Sequence, residues 1–194
     1  MKRTIGLDLS LSGTGICIME DFDIIFQQLI STSPLKEKTG KMINKKGKEV
    51  EETVVVEFDD MRRIYYIRSQ ILKAIADHIP IHYGAIEGPA LGVQDKTTSI
   101  HTLGKLAGVV EYLLKFELEI PYYLVSPSTL KKHTTGRGIG KKEMMLKEVY
   151  KKYGLDFNDN NLCDAFCLCT TLLPTGFDPS LIKIRRPELK LRRK

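Results

Sequence analysis

The pattern of hydrophobic and polar residues along the first 31 residues predicts three β-strands. A strand begins near Arg3, is interrupted by the small residues 12–15, and resumes at Ile16. Two strands joined by a small-residue turn are typical of a β-hairpin. Residues 23–31 predict the third strand. Residues 50–58 are rich in valine, which predicts a further strand later in the chain.

From Asp59 onward the apolar residues recur at spacings of three and four, which indicates amphipathic helices. Asp59 or Asp60 is expected to cap the first helix, which should end before Pro80. Further elements are predicted in this order: a strand at 83–87, a helix at 100–118, a strand at 121–125, a short helix around 129–130, and helices at 141–153 and 160–173. Strands that alternate with crossover helices indicate an α/β fold with a partly parallel sheet, covered by helices.

The length of 194 residues predicts one domain, and the composition of 42% hydrophobic and 28% charged residues is ordinary for a globular protein. No apolar run approaches the roughly 18–20 residues that a membrane span requires. Asp8 falls where a signal peptide would need its apolar stretch. We therefore expect a cytoplasmic protein with no membrane partner. The four cysteines form no C-x-x-C pair, so buried and reduced thiols are expected.

The positive charge, a net +6, is concentrated in two segments. Residues 36–48 contain six lysines and one glutamate, and residues 185–194 contain six basic residues and one glutamate. Such segments indicate nucleic-acid binding, although solvated loops and chain ends also carry charge. We predict a single domain over 1–176 with a basic arm at about 34–49, followed by a basic C-terminal extension over 177–194.

Three carboxylates stand alone in apolar surroundings. Asp8 lies in a strand among Ile5, Leu7 and Leu9, Glu87 ends the strand before Gly88-Pro89, and Asp164 interrupts the apolar run LCDAFCL. A buried carboxylate requires a partner or a metal ion. Clustered carboxylates repel each other unless a cation joins them.

Oxygen ligands without histidine or cysteine favour Mg²⁺, with Mn²⁺ as a substitute. Two such ions can activate a water and stabilise the leaving oxygen in phosphodiester cleavage. Asp8, Glu87 and Asp164 are therefore predicted metal ligands of a metal-dependent nuclease. Each of them has a simpler explanation on its own, as a turn residue, a solvated strand end or an ion-pair partner.

A basic loop near the middle of the chain predicts phosphate binding. Glycines at 136 and 138 allow a backbone to approach a phosphate closely, and the cations around them neutralise its charge. These cations are Lys131, Lys132, Arg137, Lys141 and Lys142. The loop after Glu87 carries Lys96 and apolar residues that either enter a DNA branch point or pack on the body of the protein. The remaining predicted DNA-binding residues belong to the arm: Lys41, Lys45 and Lys46.

The ordered set of these motifs resembles the RuvC-like Holliday junction resolvases, which have a ribonuclease H-like fold. The motifs are IGLDLSLSGTGICI with Asp8, AIEGPALG with Glu87, PSTLKKHTTGRGIGKKE, and LCDAFCL with Asp164. They extend from Ile5 to about Leu173. The short, lysine-rich chain and the arm after the third strand make it most similar to the bacteriophage branch.

This resemblance implies a mixed sheet of three antiparallel N-terminal strands followed by parallel strands. It implies a homodimer that binds four-way DNA junctions and makes paired, Mg²⁺-dependent nicks, without a nucleotide cofactor, in the host cytoplasm if the protein is phage-encoded. Asp8, Glu87 and Asp164 match the metal-binding carboxylates. Lys131 and Lys142 match basic residues near the scissile phosphate.

The sequence departs from the family pattern at the fourth metal ligand. The family usually has an acid or a histidine three residues before the last aspartate, where this chain has Asn161. The Asn161 amide oxygen is a weaker ligand. Asp159 is the other candidate, but on a straight helix it faces away from Asp164, and its position also suits a helix N-cap.

Three alternatives remain open from the sequence. One keeps the fold but acts on RNA–DNA hybrids or flaps, and a second binds branched DNA without cutting it, as Asn161 would suggest. A third is a sugar-kinase-like or actin-like ATPase, because LDLSLSGTG resembles a phosphate loop of that group. The chain is short for the two domains that such an ATPase requires.

Overall fold

We describe the fold from a computed structural model of the chain. The structure describes residues 1–32, 35–43, 48–56, 59–88, 97–138, 142–174, 176 and 183–184. Within that part of the chain, the backbone alone is described for residues 35–43, 49–56, 97–100, 142 and 183–184.

A six-stranded mixed sheet forms the centre of the protein, with the strand order β7-β6-β1-β2-β3-β8. Its strands are β1 (Arg3–Asp8), β2 (Gly13–Glu20), β3 (Asp23–Ser31), β6 (Tyr83–Glu87), β7 (Tyr122–Val125) and β8 (Lys183–Ile184). The first three strands pair antiparallel, whereas β6 pairs parallel with β1 and β7 pairs parallel with β6. This arrangement confirms the predicted mixed sheet.

Helices cover both faces of the sheet, and each face has its own core. On one face α1 (Asp60–Ala76) and α2 (Thr97–Tyr112) pack over Ile5, Leu7 and Ile86, and a π-helical turn (Leu113–Glu117) extends α2. On the other face lie α3 (Pro127–Thr135), α4 (Lys142–Tyr153) and α5 (Asn160–Thr170). None of the helices in these described ranges combines the length and the apolar composition needed to cross a bilayer.

Helix α1 begins where the sequence predicts, because Asp59 caps it by accepting a hydrogen bond from the Arg62 backbone N–H (2.8 Å). The predicted start of the second strand is wrong by three residues. Strand β2 begins at Gly13, inside the stretch predicted as a turn, and Asp8 pairs with Gly15. Small residues serve as strand here because α5 lies directly against them.

Two glycines allow α5 to approach the sheet at backbone distance. A Cβ on Gly6 would overlap the Ala165 carbonyl oxygen and lie 3.0 Å from the Cys169 nitrogen. A Cβ on Gly15 would overlap the Asn161 carbonyl and lie 3.1 Å from the Leu162 nitrogen. Because side chains with a Cβ do not fit there, the helix axis is fixed over β1 and β2.

A separate two-stranded sheet follows β3. Strands β4 (Leu35–Ile43) and β5 (Glu49–Val56) pair antiparallel, with a register shift between Thr39 and Lys41. This hairpin covers the predicted basic arm at about 34–49 and most of the strand predicted at 50–58. At the other end of the chain, two residues of the predicted C-terminal extension form β8 beside β3.

Candidate metal and DNA site

Asp8 and Glu87 end two neighbouring parallel strands at the same level. The last described pair between β1 and β6 is Leu7 with Ile86, so the next residue on each strand is a carboxylate. Residues at matching positions of adjacent strands share a face. Ala85 and Val125 pack in the core beneath α5, which places Glu87, two residues after Ala85, on the α5 face as well.

Helix α5 supplies the third carboxylate from above this face. Asn161 lies over Gly15 and Ala165 lies over Gly6, so α5 crosses the carboxyl end of β1 near its own N-terminus. Asp164 is three residues after Asn161 and shares that side of the helix. The exposed fraction is 6% for Asp8 and 8% for Asp164, and Glu87 is partly exposed. Two buried carboxylates and one accessible carboxylate therefore border the same edge of the sheet.

The start of α5 is fixed by the side chains of Asp159 and Asn161, which make three hydrogen bonds. Asp159 is its N-cap, because its Oδ1 accepts hydrogen bonds from the backbone N–H groups of Asn161 (2.8 Å) and Leu162 (3.1 Å). The Asn161 side-chain amide donates to the Gly13 carbonyl oxygen (2.7 Å), which joins α5 to β2. The N-terminus of α5 therefore lies at the same edge of the sheet as the carboxylates.

The capping role of Asp159 leads to a prediction that separates a cap from a metal ligand. Asp159→Ala is expected to lower the free energy of unfolding by about 1 kcal/mol, whereas Asp159→Ser should restore most of it because serine also caps helices. Urea unfolding of the two variants measures this difference. If the chain has the nuclease activity that its motifs predict, both folded variants should keep the wild-type rate. Loss of that activity in a folded Asp159→Ser protein would instead point to Asp159 as a metal ligand.

The donor chemistry of this edge fits a hard divalent cation, since it consists of carboxylate oxygens with an amide oxygen nearby. The side chains as placed do not form a closed ligand set. Within the described ranges, no group of three His, Cys, Asp or Glu side chains is positioned to hold a metal ion. The structure thus brings Asp8, Glu87 and Asp164 to one edge without arranging all three around a common point.

A small apolar cavity of about 200 Å³ opens beside Glu87. Its lining includes Leu9, Leu103, Ala107 and Pro127. Sequence reasoning did not anticipate this cavity, because it joins side chains from α2, α3 and the residue after β1 that are far apart in the chain. An apolar wall beside a carboxylate lowers the local dielectric constant and strengthens electrostatic interactions there.

The structure describes some of the basic residues predicted around the site, and others lie outside the described residues. Helix α3 begins at the same sheet edge, since Ser126 follows β7 and caps α3 by accepting a hydrogen bond from the Thr129 N–H (3.1 Å). Lys131 is partly buried on α3, whereas Lys132 and Arg137 are exposed. Lys142 begins α4 and Lys41 lies in β4. The other predicted basic residues lie outside the described residues: Lys45, Lys46, Lys96 and Lys141.

The four cysteines are buried thiols, as predicted. The Cys169 thiol donates to the Cys17 carbonyl oxygen (3.2 Å) beneath α5. Burial, together with a hydrogen bond to Cys169, raises the pKa of Cys17 well above its usual value. A hydrogen bond to Cys167 and burial raise the pKa of Cys163. The thiols of Cys17 and Cys163 therefore stay protonated, which is unfavourable for metal binding by these two residues.

Comparison with models of known protein families gives no match, and comparison with curated protein sequences gives none either. Comparison with solved structures gives clear matches across most of the chain. The structure of Thermus thermophilus RuvC in complex with a Holliday junction substrate matches with a TM-score of 0.66 and 18% identity, over 88% of this chain and 92% of that one.

Two further structures are similar. Another Thermus thermophilus RuvC structure has a TM-score of 0.62 and 17% identity, with coverage of 87% of this chain and 91% of that one. The yeast mitochondrial Holliday junction resolvase Ydc2 has a TM-score of 0.50 and 15% identity, with coverage of 87% and 78%. The RuvC-like fold predicted from the motifs is therefore confirmed.

Proposed function

We propose that this chain is a divalent-metal-dependent endodeoxyribonuclease that resolves Holliday junctions and other branched DNA by paired nicks. The observation that carries the proposal is the position of Asp8, Glu87 and Asp164 at one edge of a RuvC-like sheet. The similar solved structures include a RuvC bound to a Holliday junction and a mitochondrial resolvase, which supports a branched-DNA substrate for this fold.

In this proposal Asp8, Glu87 and Asp164 hold Mg²⁺, or Mn²⁺ in its place, and Asn161 is the candidate for a further oxygen ligand. A bound divalent cation lowers the pKa of a water and stabilises the negative charge of the leaving oxygen. The chain's own residues set the conditions for this chemistry. Asp8 and Asp164 are buried near the N-terminus of α5, so a divalent cation held there would interact strongly with their oxygens in a site of low dielectric constant.

The basic residues are proposed to bind the DNA backbone around the carboxylates. Lys131 and Lys142 are assigned to the scissile phosphate, where their charge stabilises the transition state. Lys96, Lys132, Arg137 and Lys141 are assigned to flanking phosphates, together with the arm lysines. We further propose that the protein acts as a homodimer, because paired nicks require two sites, and that it belongs to the bacteriophage branch and works in the cytoplasm.

A second candidate function is branched-DNA binding without cleavage. It is favoured by one observation: within the described residues, the three carboxylates do not form a closed ligand set. In that case Asp8, Glu87 and Asp164 would have no catalytic role, and the basic residues alone would recognise DNA.

The test of the proposed function is a nicking assay on a synthetic four-way junction with Mg²⁺, Mn²⁺ or a chelator. We expect symmetric nicks with either metal and none with the chelator. A flap, an RNA–DNA hybrid and a plain duplex, assayed side by side, should be cut more slowly. Junction binding without metal-dependent nicks would support the second candidate, and preferential cutting of the hybrid or the flap would overturn the proposed substrate.

A further inference from the structure

The hairpin formed by β4 and β5 brings all three lysines of β4 onto one face. Residues directly opposite each other in an antiparallel pair share a face, and every second residue of a strand returns to the same face. The β4 lysines lie opposite three β5 residues that are two positions apart: Lys36 opposite Val55, Lys38 opposite Thr53, and Lys41 opposite Glu51. The three lysines therefore share one face, here called the lysine face.

This grouping depends on an irregularity in β4. Lys36 and Lys38 are two residues apart, but Lys41 is three residues after Lys38, so a regular strand would place it on the opposite face. The register shifts between Thr39 and Lys41, so that Gly40 is an additional residue in β4. A β-bulge of this kind restores Lys41 to the lysine face.

The two faces of the hairpin differ in charge. The opposite face carries no lysine, and its acids are Glu37 and Glu52. Within the two strands, the acids of the lysine face lie only opposite the last residues of β4: Glu49 opposite Ile43 and Glu51 opposite Lys41. Its other half, where Lys36 and Lys38 lie opposite Val55 and Thr53, carries no acid. The positive charge is thus greatest in the half of the lysine face that contains Lys36 and Lys38.

We propose that the lysine face binds the phosphate backbone of one DNA arm, because the β4 bulge aligns Lys36, Lys38 and Lys41 on a single side of the hairpin. Lys36 and Lys38 are about 7 Å apart along the strand, at roughly 3.3–3.4 Å per residue. This distance equals the rise of about two nucleotides along a DNA strand. The hairpin geometry by itself predicts a site for a polyanion. The inference rests on the proposed function only in taking that polyanion to be DNA.

The sharpest test moves lysines between the faces without changing the composition. The exchange variant combines Lys38→Thr with Thr39→Lys and Lys41→Met with Met42→Lys, which places two lysines opposite Glu52 and Val50 on the other face. Affinity for a labelled duplex and a labelled four-way junction is measured in chelator at several salt concentrations. Loss of two phosphate contacts should flatten the slope of log affinity against log salt by about 2.

A second variant keeps the test decisive if the exchange variant does not fold. Substitution of Lys36, Lys38 and Lys41 by glutamine should flatten the slope by about 3. The matched control substitutes three exposed lysines of the α1–α2 layer by glutamine, Lys73, Lys105 and Lys115. It removes the same charge and should change the slope by less than about 1.

The outcomes separate this inference from the proposed function, because binding in chelator requires no cleavage. A slope that is the same for the wild type and the exchange variant would overturn the role of the lysine face, even if the wild type nicks junctions. If the exchange variant has not folded, an equal effect of the arm and control triple variants would overturn it. If the exchange variant has a flattened slope but the wild type never nicks DNA, the DNA-binding role of the lysine face would be supported and the proposed nuclease activity would be overturned.

Discussion

Substitution of Asp8 by asparagine is expected to lower the rate of junction nicking by about a hundredfold or more, while junction binding is retained. Asp8 is buried at the end of β1, beside β6 and beneath α5, so it is central among the three proposed ligands. Asparagine has nearly the same shape but no charge. Loss of one group that stabilises charge in a transition state typically costs about a hundredfold to a thousandfold in rate.

The measurement is single-turnover nicking of a four-way junction with saturating protein and Mg²⁺, beside a binding titration in chelator. Asp156→Asn is the matched control, because Asp156 is exposed, lies in the loop before α5 and is not one of the proposed ligands. It should nick at the wild-type rate. Undiminished nicking by a verified Asp8→Asn protein would rule out Asp8 as a metal ligand, and with it the proposed mechanism.

Substitution of Gly6 by alanine is expected to lower the free energy of unfolding by about 3 kcal/mol or more, at the upper end of the usual cost of overpacking a core. The added methyl group would overlap the Ala165 carbonyl oxygen and approach the Cys169 nitrogen. Both are backbone atoms of α5, which cannot move aside as a side chain can. The helix would have to shift away from β1, and Asp164 would shift with it.

Gly108→Ala is the control for this substitution. Gly108 lies on the exposed side of α2, where an added Cβ has no neighbour within 4 Å. Alanine is the better helix former, so this variant should gain about 0.5–1 kcal/mol. Urea unfolding measures both changes, with an unchanged m-value as the sign of a comparable transition. Equal stability of the two variants would contradict the close packing of α5 on the sheet.

The sequence predicts most of the fold because the period of its apolar residues changes clearly at Asp59. The short β-favouring segments before that point predict β1 and β3, and the spacing of three and four after it predicts α1. The start of β2 was not predictable, because the small residues around Gly13 look like a turn. Only the three-dimensional packing reveals that they leave room for α5.

The candidate site was predictable in part. The parallel pairing of β1 and β6 follows from the order of strands and helices, and it places Asp8 beside Glu87. The depth of Asp164 depends on how closely α5 approaches Gly15, which the local sequence does not encode. The position of Lys41 was not predictable either, because it depends on the bulge at Gly40. The predicted ligand, DNA-contact and dimer assignments remain predictions.

The buried cysteines have a practical consequence. All four are inaccessible, and the pKa values of Cys17 and Cys163 are raised, so the native thiols should react slowly with maleimide reagents. A cysteine introduced at an exposed position such as Lys73 would be the fast-reacting thiol of the folded protein. Fluorophores or spin labels can therefore be attached to the wild-type background, without first building a cysteine-free variant and risking the packing beneath α5.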